Sequence, residues 1–274
     1  TTWSRGLGDV YKRQDISSLW ELQKLDPIHH LTWDWWWWLV MLDDENGNPA
    51  GKQLMVLWST KDNPLVEVNG VAWEPAGRPG FDDEGAIAMD GMVAAWYYDG
   101  SKLIEPLVLE KSRIIVLAEN HSKWPFDKGG IVASNTDREY SMGLNDKENQ
   151  FWVKLDTEHG DFDLKMKPWN NAMSSLKVAQ SEYGFGMGYG ISRLHGALCE
   201  GTISGENVIG TAYFQKVCVQ APSPPWFWGM LHFDDGSYID WFVPHISPTL
   251  TSKDSEPWNC LLYTSDAADE SVRV

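Results

Sequence analysis

Four consecutive tryptophans, Trp35 to Trp38, limit what this chain can become. Successive side chains of an extended strand point to opposite faces, so two indoles face one side and two the other. Both faces of such a strand must be covered. The pair that does not enter the core must meet a ligand, a second layer or a partner. The run is the extreme of a general excess, because the 274-residue chain carries 17 Trp. Packing against a neighbour and contact with a ligand both remain open for Trp35, Trp36, Trp37 and Trp38.

Around this run the sequence reads as short strands. The stretch Trp35 to Leu42, the turn-rich Asp43 to Pro49 and then Gln53 to Trp58 form a hairpin signal. Further runs are Met92 to Tyr98, Leu103 to Leu109, Arg113 to Leu117, Phe151 to Leu155 and Asp161 to Met166, the last placing Phe162, Leu164 and Met166 on one face. Val208 to Phe214, Trp226 to Phe233 and Tyr238 to Val243 complete the series. Turn signals fall about every 8–12 residues, the rhythm of an antiparallel barrel or sandwich. Helical periodicity is scarce, with Ile16 to Leu25 the best candidate. The expected class is all-β.

Charge and cysteine content narrow the partners. The net charge is −17, which repels phosphate backbones, so no nucleic-acid partner is expected. Three Cys cannot build a disulfide framework, and neither a CxxC pair nor an HExxH spacing offers zinc a site, so no metal and no cofactor are expected. The apolar run Trp35 to Leu42 falls well short of the roughly 20 residues that span a bilayer, so no stable membrane span is expected. The compartment and the oligomeric state are left open.

Three stretches carry a resemblance. Asp34-Trp-Trp-Trp-Trp-Leu-Val-Met-Leu-Asp-Asp-Glu-Asn-Gly47 with Gly51 to Leu57 resembles the opening acidic-Trp-Trp hairpin of the AttH/CrtC lipocalin-like (calycin) proteins, which include carotenoid hydratases. Ile209-Gly-Thr-Ala-Tyr-Phe214 is similar to their Gly-x-aromatic-x-Asp strand, and Pro225 to Tyr238 to their Trp-x-Trp…Asp-Gly strand and turn. The resemblance implies an antiparallel lipocalin-like barrel over residues 15–221, the start of a truncated second barrel at 222–259, and an apolar ligand. One departure stands out: where the family carries an acid two positions after Tyr213, this chain has Gln215. Gly6 to Gln14 and Cys260 to Glu270 resemble peptides translated from sequencing-adapter DNA, so 1–14 and 260–274 are set aside.

The implied chemistry is hydration of an isoprenoid or polyene double bond. It needs an acid held in an apolar pocket to protonate carbon, and aromatic faces to stabilise the cation. The acids near the matched stretches are Asp34, Glu200, Asp234, Asp235 and Asp240, of which Asp34 abuts the Trp run and is preferred, either as catalytic acid or as a strand-edge cap. His195 is read as an acid–base group or a hydrogen-bonded structural histidine, and Tyr213 as its catalytic companion. Tyr189, Arg193, Gln215, Trp226 and Trp228 complete the ligand-binding set, the last two as core or cavity residues. The run Tyr183 to Gly190 lacks the glycine spacing of a phosphate loop and reads as a bent strand. Two alternatives stand beside the hydratase: a non-catalytic carrier on the same scaffold, and a carbohydrate-binding β-sandwich. A truncated second barrel is expected to leave Trp226, Trp228 and Trp241 exposed.

Overall fold

The computed structural model describes residues 19–20, 28, 31–44, 46–61, 66–68, 71–73, 80–81, 86–117, 129–134, 136–145, 150–169, 173–178, 187–221 and 226–244. The described elements are β1 (Thr32–Asp43), β2 (Pro49–Lys61), β3 (Val66–Val68), β4 (Val71–Trp73), β5 (Gly80–Phe81), β6 (Ile87–Tyr98), β7 (Leu103–Leu117) and β8 (Gly130–Ser134). They continue with β9 (Tyr140–Asn145), β10 (Gln150–Thr157), β11 (Gly160–Pro168), β12 (Met173–Val178), β13 (Gly188–Ile203), β14 (Glu206–Gln220), β15 (Trp226–His232) and β16 (Tyr238–Pro244).

The ladder runs β11-β10-β9-β8-β7-β6-β2-β1-β14-β13 and closes because β11 also pairs with β13. All these pairings are antiparallel, giving a ten-stranded up-and-down barrel. The fold is thus an all-β, lipocalin-like barrel, and the sandwich alternative does not hold. β12 continues the line of β11 along β13, pairing Met173 to Val178 with Leu194 to Tyr189. β15 and β16 pair only with each other, as a hairpin after the barrel.

Alternation sets the wall. Along β1 buried and half-buried residues alternate without a break. Trp36 and Trp38 point inward and expose nothing, as do Val56, Trp58, Val93 and Phe214. No water-sized space adjoins them, so the middle of the barrel is filled by protein, with Trp38, Phe151 and Phe214 in mutual ring contact. Phe162, Leu164 and Met166 also face this core.

One strand differs from its sequence reading. Glu110-Lys-Ser112 looks like a break between two strands, yet β7 runs through it. Glu110 pairs with Val93, a core residue, and accepts a hydrogen bond from the Tyr140 hydroxyl, so a partner two strands along the wall satisfies the carboxylate. The candidate helix of residues 16–25 lies outside the described residues except Leu19 and Trp20, which form a short 3₁₀ turn. Both are buried in the core, and Leu19 accepts a hydrogen bond from the Trp36 indole at 2.7 Å. They sit at the end where β1 begins.

Candidate functional site

The inner face at that end holds a buried ion pair. Asp34 is opposite Cys218 and Trp36 opposite Lys216 in the β1–β14 register. Lys216 places Nζ 2.6 Å from Asp34 Oδ1, 3.1 Å from the Val217 carbonyl and 3.9 Å from the Trp36 ring centre. Burial pulls the Lys216 ammonium down, but Asp34 and Cys218 together outweigh it and hold the group above its ordinary value. All three ammonium protons have a destination: a carboxylate, a carbonyl and an aromatic face. Together with the Trp36–Leu19 bond, this cluster ties β1 and β14 to the turn at Leu19 and Trp20.

The outer face of the same wall differs. Trp35 packs against Trp33, ring centres 4.9 Å apart. Trp37 donates its indole N–H to Gln215 Oε1 at 2.6 Å and meets Tyr213 and Trp228 edge-on at 5.5 and 5.0 Å. Tyr213 and Trp228 lie 5.0 Å apart. On β13 a bulge inserts one extra residue between Leu194 and Ala197. Bulges re-aim side chains, and Gly196 gives this one room: a Cβ there would lie 2.0 Å from the Trp169 ring. His195 thereby stacks on Tyr238 at 4.5 Å with its ring 6.2 Å from Tyr213.

The hairpin supplies the carboxylate. Register pairs Met230 with Asp240 and His232 with Tyr238. Asp240 accepts the Trp228 indole N–H at 2.8 Å, takes Arg193 Nη1 at 3.2 Å and has His195 Nδ1 at 3.4 Å. Its side chain is 7% exposed. Behind it His232 closes the seam, with Nε2 2.6 Å from the His195 carbonyl and Nδ1 2.9 Å from Thr211 Oγ1. A carbonyl can only accept, so Nε2 carries the proton and Nδ1 accepts from Thr211. Burial pulls both histidines below their ordinary value; Asp240 opposes this at His195 while Arg193 adds to it. Burial also pushes the Tyr213 hydroxyl up.

The structure therefore brings Arg193, His195, Tyr213, Gln215, Trp37 and Trp228 together in one seam outside the barrel. Asp34 does not join them. It lies on the inner side of the wall, 3% exposed and salt-bridged to Lys216, so an unpaired acid beside His195 and Tyr213 is not what Asp34 provides. Trp36 and Trp38 are core residues without free surface. Trp35 and Tyr189 lie on the outer face nearer the end where β1 begins, Tyr189 opposite Val219. The Trp226 side chain falls outside the described residues. Trp228 is half-buried in the seam, whereas Trp241, on the hairpin's other face, is 41% exposed with Leu231 and Ile239 beside it.

Sequence reasoning named Asp240 only as one acid among five and overlooked Lys216, His232 and Tyr238. A signal for Asp240 existed: period-two alternation puts Trp228, Met230 and His232 on one face of β15, and the turn at residues 234–237 returns Tyr238 and Asp240 opposite them.

No protein-family model and no curated protein matches the sequence. Among solved structures the chain is similar to an AttH protein from Nitrosomonas europaea, 14% identical with a TM-score of 0.45. That similarity covers 82% of this chain and 62% of the other, so the chain spans less than two thirds of its length. It is also similar to an S-type phycobiliprotein lyase, CpeS, from Guillardia theta, 10% identical with a TM-score of 0.22, over 69% of this chain and 88% of that one. These are likenesses of fold, alongside the lipocalin-like barrel that the strand ladder establishes by itself.

Proposed function

We propose that this protein binds an apolar isoprenoid or polyene molecule in the aromatic seam between the barrel's outer wall and the β15–β16 hairpin, and adds water across one of its double bonds. The observation that supports this reading most is the convergence of Trp37, Tyr213 and Trp228 on the Asp240–His195 pair. In the proposed reaction a proton carried by that pair adds to the terminal alkene carbon. The tertiary cation left behind faces the Trp37 and Trp228 rings, each contributing about 0.5–2 kcal/mol. A water oxygen bonds to the cation and its surplus proton returns to the Asp240–His195 pair, so the product gains one water and the site is restored.

The test is incubation of the full chain with acyclic isoprenoids, followed by mass analysis of the extract. Gain of one water by the wild type and its absence with Asp240→Asn is the expected result. Full turnover by Asp240→Asn would end the assignment. A second reading, a non-catalytic carrier, draws on Gln215: the family's acid position holds a neutral amide occupied by Trp37. Under that reading the ligand is bound and recovered unchanged.

A further inference from the structure

Two hydrogen-bond donors in the seam are sealed from water without an acceptor. The Tyr213 hydroxyl and Arg193 Nε are both buried and have no hydrogen-bond partner among the described residues. Tyr213 as a residue exposes nothing. A buried donor without a partner carries its full desolvation penalty and asks for an explanation. The two share one face of the wall, since Arg193 pairs with Gln215 on β14 and Tyr213 lies two residues along the same strand. The other Arg193 contact is spoken for: Nη1 is 3.2 Å from Asp240 Oδ2. What remains is two buried donors without acceptors beside an aromatic wall.

We infer that the seam recognises a neutral acceptor oxygen, an alcohol or a carbonyl, on an otherwise apolar molecule. This rests on the reading of the seam as the ligand site, and it narrows the ligand from a bare hydrocarbon to an oxygenated one. Neutrality follows from the charge balance. Asp240 already offsets Arg193 within the seam, so an incoming carboxylate meets a buried carboxylate and finds no unpaired cation. Both donors are covered as the seam stands, so the ligand oxygen reaches them as the hairpin moves off the wall. Among the described residues the hairpin is held here by the Asp240 contacts, the His195–Tyr238 stack, the two His232 bonds and the ring contacts of Trp228 and His232.

The test is calorimetric titration of the full chain with geraniol, geranial, geranic acid and the parent hydrocarbon. Geraniol or geranial binding about tenfold or more tightly than the hydrocarbon is expected from two new hydrogen bonds. Tyr213→Phe and Arg193→Lys, which each delete one donor while keeping shape or charge, should bring that ratio down toward one. Equal affinity of alcohol and hydrocarbon for the wild type would overturn the inference while leaving the seam as the ligand site. Geranic acid as the tightest binder would overturn it as well, because it would require Arg193 to abandon Asp240. Failure of all four probes would instead remove the ligand-site reading beneath it.

Discussion

Replacing Lys216 by methionine isolates the inner cluster. Methionine keeps the length and apolar stem of the side chain and deletes the ammonium, leaving Asp34 at 3% exposure with no counter-charge at 2.6 Å. Breaking a buried pair from one side costs about 3–5 kcal/mol, because the remaining charge stays buried. Against a total stability of roughly 5–15 kcal/mol this is a third or more of the whole. With a urea slope of about 2–3 kcal/mol per molar, the unfolding midpoint of the full chain should fall by about 1–2 M. The pH dependence has a definite sign. Lys216 is held above its ordinary 10.5, so its contribution is complete at neutral pH and fades only as pH rises past that value. The double replacement Asp34→Leu with Lys216→Met removes both charges and should recover most of the loss. A Lys216→Met midpoint within about 0.3 M of wild type would refute the reasoning. So would a double variant no more stable than the single one.

The seam makes two further predictions. His195 and His232 are both held below their ordinary value of 6.5 by burial, so their stabilising contribution is present above that value and lost as pH falls below it; the protection of hairpin amides against exchange, relative to their intrinsic rates at each pH, should fall from pH 7.5 to 5, and His232→Gln should flatten that change. Gly196→Ala places a Cβ 2.0 Å from the Trp169 ring and should cost about 1–3 kcal/mol in urea unfolding while loosening the hairpin; an unaltered midpoint would show that the bulge has slack.

How much of this was legible beforehand depends on the range of the interaction. Alternation is local, so the two-faced Trp run and the buried Phe162, Leu164 and Met166 could be read directly from the chain. Glu110 could not, since a polar triplet looks like a turn unless the Tyr140 hydroxyl two strands away is known. Asp34 was preferred as an acid because it touches four indoles in sequence, yet its fate is set by Lys216, 182 residues away. Asp240 was passed over for the same reason in reverse. Its neighbours Arg193 and His195 come from a distant strand, and the bulge beyond Leu194 that returns Ala197 and Cys199 to the core has no sequence signature beyond Gly196.

Gln215 and Asp240 are better understood as alternatives than as a loss and an accident. Both belong to the same aromatic group: Gln215 bonds Trp37 at 2.6 Å, Trp37 meets Trp228 at 5.0 Å, and Trp228 bonds Asp240 at 2.8 Å. Two carboxylates flanking one set of indoles would raise each other's proton affinity and compete for the single cation, Arg193. With a neutral amide on β14, the hairpin's Asp240 holds Arg193 and His195 alone. The hydration reading then makes a demanding prediction. Asp240→Asn should abolish water addition, and Gln215→Glu in that background should restore part of it, because the acid returns to the wall side of the same indoles. Gln215→Glu with Asp240 intact should gain nothing. A double variant as inactive as Asp240→Asn would mean that contact with His195 and Arg193, rather than proximity to the indoles, determines which carboxylate can serve.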